Sequence, residues 1–494
     1  MSAEVLEIVR SALAGRTAWL VGGAVRDRAL GRPVADVDIV VDGDPGQAAR
    51  AIAAAARSDG GGGAACFALS EEFGAWRVVG REGSWQVDVE GMRGGSLEAD
   101  LALRDFTVNA IAEPVDGGEP LDPLGGLADL RAGRLRCAGP AAFEDDPLRV
   151  LRLVRVAVEL DLEAEPDALA AARRQVGRLA DVSPERVFLE LQRIVASEQA
   201  LRGLESMGDL GATAVVLPEI EAMRGVEQSR FHHLDVYGHT LEVLERAIAL
   251  TGSRAGAILG EQGEEALALA DGPGHPTLAC SEERRAEVLA LLAEPLADGM
   301  TRGEGLRWAA LLHDAAKPAT RKVRPLDRRV TFIGHDVLGA DLAHNVLGRL
   351  RASVRLRGHV AGLVRHHLRL GFLVHEPQPL ARDTVFAYLR ECDPVEVDVT
   401  LLSVCDRLAT RGSKADEAIE AHVALARMML ADALHWHAHG SPRPLLRGDE
   451  LARELDIPLG PRVGELLVEL ARAQYTGEVR TREQAVAFVN RAGG

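Results

Sequence analysis

Aromatic residues are scarce in this chain: Phe, Tyr and Trp make up 4% of 494 residues, while Ala, Leu and Arg dominate. That shortage disfavours a β-sandwich or barrel, whose strands draw on aromatic and β-branched side chains, and favours helix. Cysteine is as rare. The five present (Cys66, Cys137, Cys280, Cys392, Cys405) are odd in number, scattered and without a CxxC pair. A disulfide framework or zinc ribbon is therefore not expected, and a reducing cytoplasm is. No run of about 18 apolar residues exists, so no membrane span is expected. The opening segment MSAEVLEIVRSALAGR reads as an amphipathic helix and lacks the apolar core of a signal peptide. Positive charge is in deficit too: the formal net charge of −17 argues against a protein that coats nucleic acid indiscriminately. One stretch departs from this. Between Asp341 and Glu376 no acidic residue occurs, yet Arg349, Arg351, Arg355, Arg357, Arg365 and Arg369 do. Two readings stand for it, a solvated helical surface or a strip facing phosphates.

A chain of this length is too long for one core, so about two to four domains are expected. Residues 17–112 alternate β-rich runs (TAWLVG, DVDIVV, WRVVG, WQVDVEGM) with helical ones (AVRDRAL, PGQAARAIAAAA), broken by a flexible Gly run after Ser58. From Pro140 the pattern turns helical. The Gly/Ala/Glu-rich stretch 251–305 reads as an insert or loosely ordered segment, helix resumes from Leu306 to about His437, and GSPRPLL (440–446) reads as a linker before a helical tail. The expected division is a head (1–139), a helical neck (140–225), a second helical domain (226–438) and the tail (439–494).

The chemistry begins at Gly22-Gly23-Ala-Val-Arg26-Asp27, followed by Asp36-Val-Asp38. An apolar strand runs into two glycines and a helix, where backbone N–H groups can approach a phosphate closely and Arg26 can clamp it. Asp36 and Asp38 alternate on a strand and so project from one face, as a pair of Mg²⁺ ions requires. Neither GxGxxG nor a Walker lysine loop is present, which removes Rossmann and P-loop readings.

This order of elements resembles the class II tRNA nucleotidyltransferase and bacterial poly(A) polymerase family, of the polymerase β superfamily. The resemblance continues along the chain. Arg104-Asp105-Phe-Thr-Val-Asn109 is similar to the motif set near the ribose of the incoming nucleotide, with Leu103 where the family usually has a further arginine. Asp122-Pro-Leu-Gly125-Gly126-Leu-Ala-Asp129 is similar to the hinge between head and neck. Asp145-Asp146-Pro-Leu-Arg149-Val-Leu-Arg152 is similar to the nucleobase-reading motif, with Asp145 in place of the usual Glu. Its chemistry is legible from the residues: C and A each show an amino donor beside a ring-nitrogen acceptor, which an Asp acceptor and an Arg donor on one helical face would satisfy, and G and U do not. Glu185-Arg186 through Glu190 is similar to the last neck motif and reads as support for the reading helix.

A second constellation comprises His239, His313-Asp314, His335, His366-His367 and Asp406. Imidazoles and carboxylates within helical segments suit a divalent metal. The series resembles the HD phosphohydrolase superfamily, which implies His239, His313, Asp314 and Asp406 as ligands of a divalent transition metal, with His335 and His366 as weaker candidates. The two resemblances together imply an α+β chain: a polymerase-β-like head with a mixed sheet, an all-α neck, an HD-type helical domain and a helical tail. They imply CCA addition to the tRNA 3′ end from CTP and ATP, with Mg²⁺. Poly(A) polymerase, a CC- or A-adding enzyme and, more remotely, an HD phosphohydrolase are the alternatives. Arg462, Arg472, Arg480 and Arg482 in the tail are either phosphate contacts or a solvated face.

Overall fold

Alternation within the strands explains the head. In a computed structural model of the chain, which describes residues 3–34, 37–58, 64–70, 74–229, 233–260, 276–411 and 415–493, six strands form one sheet in the order β3-β4-β5-β2-β1-β6. They are β1 (Ala18–Val21), β2 (Val37–Val41), β3 (Ala64–Ser70), β4 (Ala75–Gly80), β5 (Gln86–Gly91) and β6 (Ala112–Pro114). Only the β2–β5 pair is parallel. Leu20, Val37, Ile39, Val78, Val87 and Val89 point to one face, where they pack with α1 (Ala3–Leu13) and α3 (Pro45–Ser58). Val5, Ile8, Val9 and Leu13 of α1 and Ala48, Ala49, Ile52 and Ala56 of α3 recur at helical spacing and supply the apolar stripe. Val21 and Val40 point to the other face, where α4 (Leu97–Ala102) covers them with Leu97 and Leu101.

That second face is only partly covered, and the residues between the core valines stand on it. Asp38 pairs in register with Asp88 of β5, and Asp88 with Arg77 of β4. A row of charged side chains thus crosses three adjacent strands. Strands β3 and β6 were not expected; both are short of the strict alternation that marked the others. Asp59 and the Gly run 60–63 lie outside the described residues.

The chain divides into two compact units, Met1–Ile194 with Arg202–Val216, and Val195–Leu201 with Leu217–Gly494. In the first unit the neck helices that matter to the site are α7 (Arg149–Leu160) and α9 (Pro184–Ala196), with the short α5 (Gly126–Arg131), α6 (Ala142–Asp145) and α8 (Pro166–Gln175) around them.

The second unit is helical. The stretch 251–305, expected to be loosely ordered, holds the helix Glu282–Leu292, capped by Ser281 accepting from the Arg284 N–H at 3.2 Å. Leu278, Val288, Leu291 and Leu292 are buried there. Its Gly/Ala/Glu composition hid a helix that buries a few apolar side chains, and within it only 261–275 lie outside the described residues. The tail helices Gly448–Glu454, Pro461–Thr476 and Arg482–Gly493 enclose their own core around Leu451, Leu466, Leu470 and Val489. No helix among the described residues is long and apolar enough to cross a membrane.

Candidate nucleotide cleft and buried imidazole cluster

The open part of the head sheet, the end of α2 (Gly23–Ala29) and the neck helix α7 enclose a cleft of about 420 Å³ lined by Gly22, Gly23, Arg26, Asp38, Arg104, Asp105, Asn109, Asp146, Arg149 and Arg152 among others. Ten of the residues read from the sequence therefore meet at one place. Gly22 has φ 69°, and a Cβ there would stand 3.3 Å from Arg104 Nη1 and 3.4 Å from Asp38 Oδ2. The left-handed backbone strains any side chain there, and the Arg104 and Asp38 side chains would have to give slightly to admit one.

Most charged groups in the cleft are held by a protein partner. Arg26, buried, donates from Nη1 to Asn109 Oδ1 at 2.6 Å and from Nε to Asp27 Oδ1 at 2.8 Å. Asp105 accepts from the Phe106 N–H at 2.8 Å and Asn109 Nδ2 at 3.0 Å on one oxygen, and from Arg152 Nη2 at 2.6 Å and Nε at 2.9 Å on the other. Burial alone would raise the Asp105 carboxyl; Arg152, Asn109 and the Phe106 N–H outweigh it and hold it well below the usual carboxylate range. Arg149 donates to the carbonyls of Leu103 at 2.9 Å and Ala142 at 3.1 Å, which ties α7 to the strand of chain carrying Arg104 and Asp105. Asp146 accepts from Arg186 Nη2 at 2.6 Å, whereas Glu190, expected to pair with Arg186 at i,i+4 spacing, pairs instead with Arg155 and Arg152.

One sequence expectation fails here. Asp145 and Arg149 do not share a helix. The short α6 ends at Asp145, Asp146 is extended (φ −145°, ψ 104°), and α7 begins only at Arg149. Pro147 is the cause, because a residue preceding proline is driven out of the helical region. Asp146 consequently turns into the cleft, while Asp145 is exposed and does not line it. Asp36 lies outside the described residues.

Sequence reading missed Arg77, Asp88, Glu90 and Arg93, which also line the cleft. Arg77 and Asp88 form a bidentate pair at 2.7 Å. The fully buried Asp100 accepts from Arg93 Nε at 2.9 Å and Arg104 Nη2 at 3.3 Å, and so orients two cleft arginines. Eight arginines and six carboxylates line the cleft, an excess of cations in a strongly acidic chain. A polyanion fits it. Behind it, the segment expected as a hinge is fastened: Asp122 accepts from the N–H groups of Gly126 at 2.7 Å and Leu127 at 2.8 Å, and Asp129 accepts from Thr107 Oγ1 at 2.7 Å.

In the second unit, five helical segments converge. His239 comes from the helix Val236–Thr251, His313 and Asp314 from the end of Arg302–Leu312, His335 from the start of His335–Arg349, His367 from the end of Val354–His366, and Asp406 from Glu396–Ala409. His239 Nε2 lies 3.0 Å from Asp406 Oδ1, and His313 Nε2 lies 3.1 Å from Asp314 Oδ2. His367, and not the half-buried His366, faces the cluster; its ring centroid is 5.3 Å from that of His313 and 5.2 Å from that of His335. Burial, and then the neighbouring His313 and His335, push His367 down to about 4, so it is neutral at pH 7. Lys317 Nζ stands 2.7 Å from Asp314 Oδ2, without hydrogen-bond alignment, and donates to Gln228 Oε1 at 2.7 Å. Buried nitrogen and carboxylate donors without hydrogen-bond partners fit a divalent metal.

The basic strip and the tail arginines read differently once their partners are known. Arg349 pairs with Glu219 at 2.7 Å and Arg369 with Glu391. Arg462, Arg472, Arg480 and Arg482 donate to Ala492 O, Asp383, Gly477 O and Glu450.

Head sheet, cleft and imidazole cluster together define a nucleotidyltransferase that carries an HD-type domain. Comparison with known proteins agrees. The Poly A polymerase head domain family matches residues 18–136, the family described as the probable RNA and SrmB-binding site of polymerase A matches 161–224, and the HD domain family matches 286–411. The chain is 35% identical to the A-adding tRNA nucleotidyltransferase of Deinococcus radiodurans, over 96% of this chain and 95% of that protein. It is 32% identical to the CC-adding tRNA nucleotidyltransferase of Thermus thermophilus, over 96% and 93%. It is also 32% identical to the Multifunctional CCA protein of Nitrosococcus oceani, over 76% and 79%. Its fold is that of the Thermotoga maritima CCA-adding enzyme complexed with tRNA, with a TM-score of 0.57 at 19% identity, covering 100% of this chain and 96% of that one. The chain belongs to the tRNA nucleotidyltransferase family.

Proposed function

We propose that this enzyme adds CCA to the 3′ end of tRNA from CTP and ATP without a nucleic-acid template, acting in the cytoplasm. The observation that carries the reading is the convergence of Asp38, Gly22, Gly23, Arg26, Asp105, Asp146 and Arg149 on one cation-rich cleft. Asp38, with Asp36, would hold Mg²⁺, which when bound lowers the cost of deprotonating the RNA 3′-hydroxyl and neutralises the triphosphate. A carboxylate on a rigid strand beside a glycine bend is the hard-oxygen donor that ion takes. Gly22 and Gly23 leave room for the phosphates, and Arg26, already aimed by Asn109, meets them. The 3′ oxygen forms its bond to the α-phosphorus as the bond to pyrophosphate breaks. Asp105, at the cleft wall, would accept from a ribose hydroxyl. Asp146 and Arg149 offer the acceptor and donor that match the pairing edges of C and A, and leave G and U with unpaired polar groups. In the HD domain, His239, His313, Asp314 and Asp406 would hold a divalent transition metal.

A narrower reading, addition of A alone or of CC alone, is favoured by the names of the relatives that align along almost the whole chain. Purified protein incubated with tRNA ending at the discriminator base and with tRNA ending in CC, with each NTP singly and with CTP plus ATP, separates them at single-nucleotide resolution. Three residues added from the mixture supports CCA addition. A single A on tRNA ending in CC, or arrest after two C residues, selects the narrower reading. A long adenosine tract selects a poly(A) polymerase.

A further inference from the structure

We infer that Phe67, on the edge strand β3, is a stacking platform for a base of the tRNA 3′ end just upstream of the reacting hydroxyl. This deepens the tRNA-extending reading above and rests on it, adding a contact to the RNA where only contacts to the incoming nucleotide have been described.

Strand register sets Phe67 at the end of the row that begins at Asp38. Asp38 pairs with Asp88, Asp88 with Arg77, and Arg77 with Phe67, so four adjacent strands each place one side chain on the open face of the sheet. The first three line the cleft, and Phe67 stands one strand beyond them. Alternation along β3 puts the exposed Ala65 on the same face, while Cys66 packs towards the core. Phe67 is 46% exposed, and Leu69 beside it equally so. A lone exposed apolar side chain needs no explanation. Here, however, every other aromatic side chain among the described residues of the first unit is buried or half-buried. The one open ring stands beside a cleft that suits a polyanion.

The direction of the reaction selects the occupant. Gly22 and Gly23 follow β1, on one side of Asp38, where Val21 pairs with Asp38 and Gly22 comes close to its carboxylate. A triphosphate held there puts the leaving pyrophosphate on the β1 side. Attacking and leaving oxygens stand in line across the α-phosphorus. The RNA 3′ oxygen therefore arrives from the opposite side, over β5, and the RNA behind it runs over β4 and β3. Three strand spacings put Phe67 roughly 14 Å from Asp38, too far for the reacting ribose and suited to a base that precedes it. Arg77, held by both Asp88 oxygens, gives that path a cation for the intervening phosphate. An aromatic face stacks on any base, which suits an RNA end that changes as each nucleotide is added.

The test uses the full chain, with tRNA ending at the discriminator base and tRNA ending in CC. Phe67→Ala should raise KM for tRNA about 5- to 150-fold, the range for losing one base–aromatic stack. KM for CTP and ATP should move less than about twofold, because the incoming nucleotide does not touch the ring. Phe67→Trp should keep the parent KM for tRNA, and tRNA binding should quench the emission that this tryptophan adds to the parent spectrum. Phe67→Leu, which keeps apolar bulk without a planar face, should behave as the alanine variant. A KM for tRNA unchanged in Phe67→Ala, or a Phe67→Leu protein as good as the parent, overturns the platform and leaves tRNA extension standing. A fall in kcat with KM for tRNA unchanged overturns it as well. If the parent extends neither tRNA, the underlying reading falls, and the Phe67→Trp emission alone decides the platform: quenching by tRNA supports it and its absence overturns it.

Discussion

The head cleft and the imidazole cluster are both dense in ionisable groups, yet they are built on opposite plans. In the cleft almost every charge has a protein partner: Asp105 with Arg152, Asp88 with Arg77, Asp146 with Arg186, Arg26 with Asn109 and Asp27. In the cluster the buried Nε2 atoms of His313, His335 and His367 have none. A site visited by nucleotides that come and go must be satisfied while it waits, and mutual ion pairs do that. Buried donors with no partner are tolerable only where a resident ion completes them. The contrast separates a transit site from a permanent one.

Three substitutions would break or sharpen that contrast. The largest effect is expected from Asp38→Ala, which should slow single-turnover nucleotide addition by about 10²- to 10³-fold, the scale for removing a group that stabilises developing charge. The metal content of the HD cluster should not change. A rate within tenfold of the parent would remove Asp38 from the chemistry. Next comes Asp105→Asn, which leaves Arg152 with Glu190 at 3.6 Å as its remaining anion and should cost about 1–3 kcal/mol, measured by denaturant unfolding. Because the folded carboxyl is held low, this contribution is complete above about pH 3.9, the unfolded value, and fades as the pH falls towards the folded one. The gap between parent and variant should accordingly be full at pH 7 and narrow under acid; a gap independent of pH would contradict the pairing. The smallest effect is expected from Arg186→Ala. Its partner Asp146 is at the cleft, but the arginine is half exposed, so stability should move by no more than about 0.5 kcal/mol. KM for CTP and ATP should rise about two- to fivefold with kcat unchanged, the size of an exposed ion pair. A fall in kcat alone would show that Arg186 acts in some other way.

Local signals were legible in the sequence and distant ones were not. The strand, glycine pair and helix around Gly22 and the alternation around Asp38 depend on neighbours in the chain, and both appear where expected. Arg77, Asp88 and Glu90 enter the cleft through strand register, Arg77 opposite Asp88 and Asp88 beside Asp38, which no local pattern discloses. Asp100 lies on α4 and meets Arg104 at i,i+4 spacing, a local signal that the sequence reading did not use. His366 and His367 are adjacent at a helix end, so their order along the chain says nothing about which ring turns inward; the packing of the helix Val354–His366 decides it. The Asp145–Arg149 expectation failed although its contrary signal was present, since Pro147 stands between them.

Gly126 lies behind the cleft and touches no residue proposed to meet substrate, yet it governs alignment there. A methyl group at this position would come within 2.1 Å of the Thr107 carbonyl oxygen, a collision that only a shift of the backbone could relieve. Thr107 is two residues from Asn109, whose side chain fixes both Arg26 and Asp105. Enlarging a distant glycine would therefore be felt as weakened grip on the triphosphate, in a protein whose cleft had lost none of its own side chains.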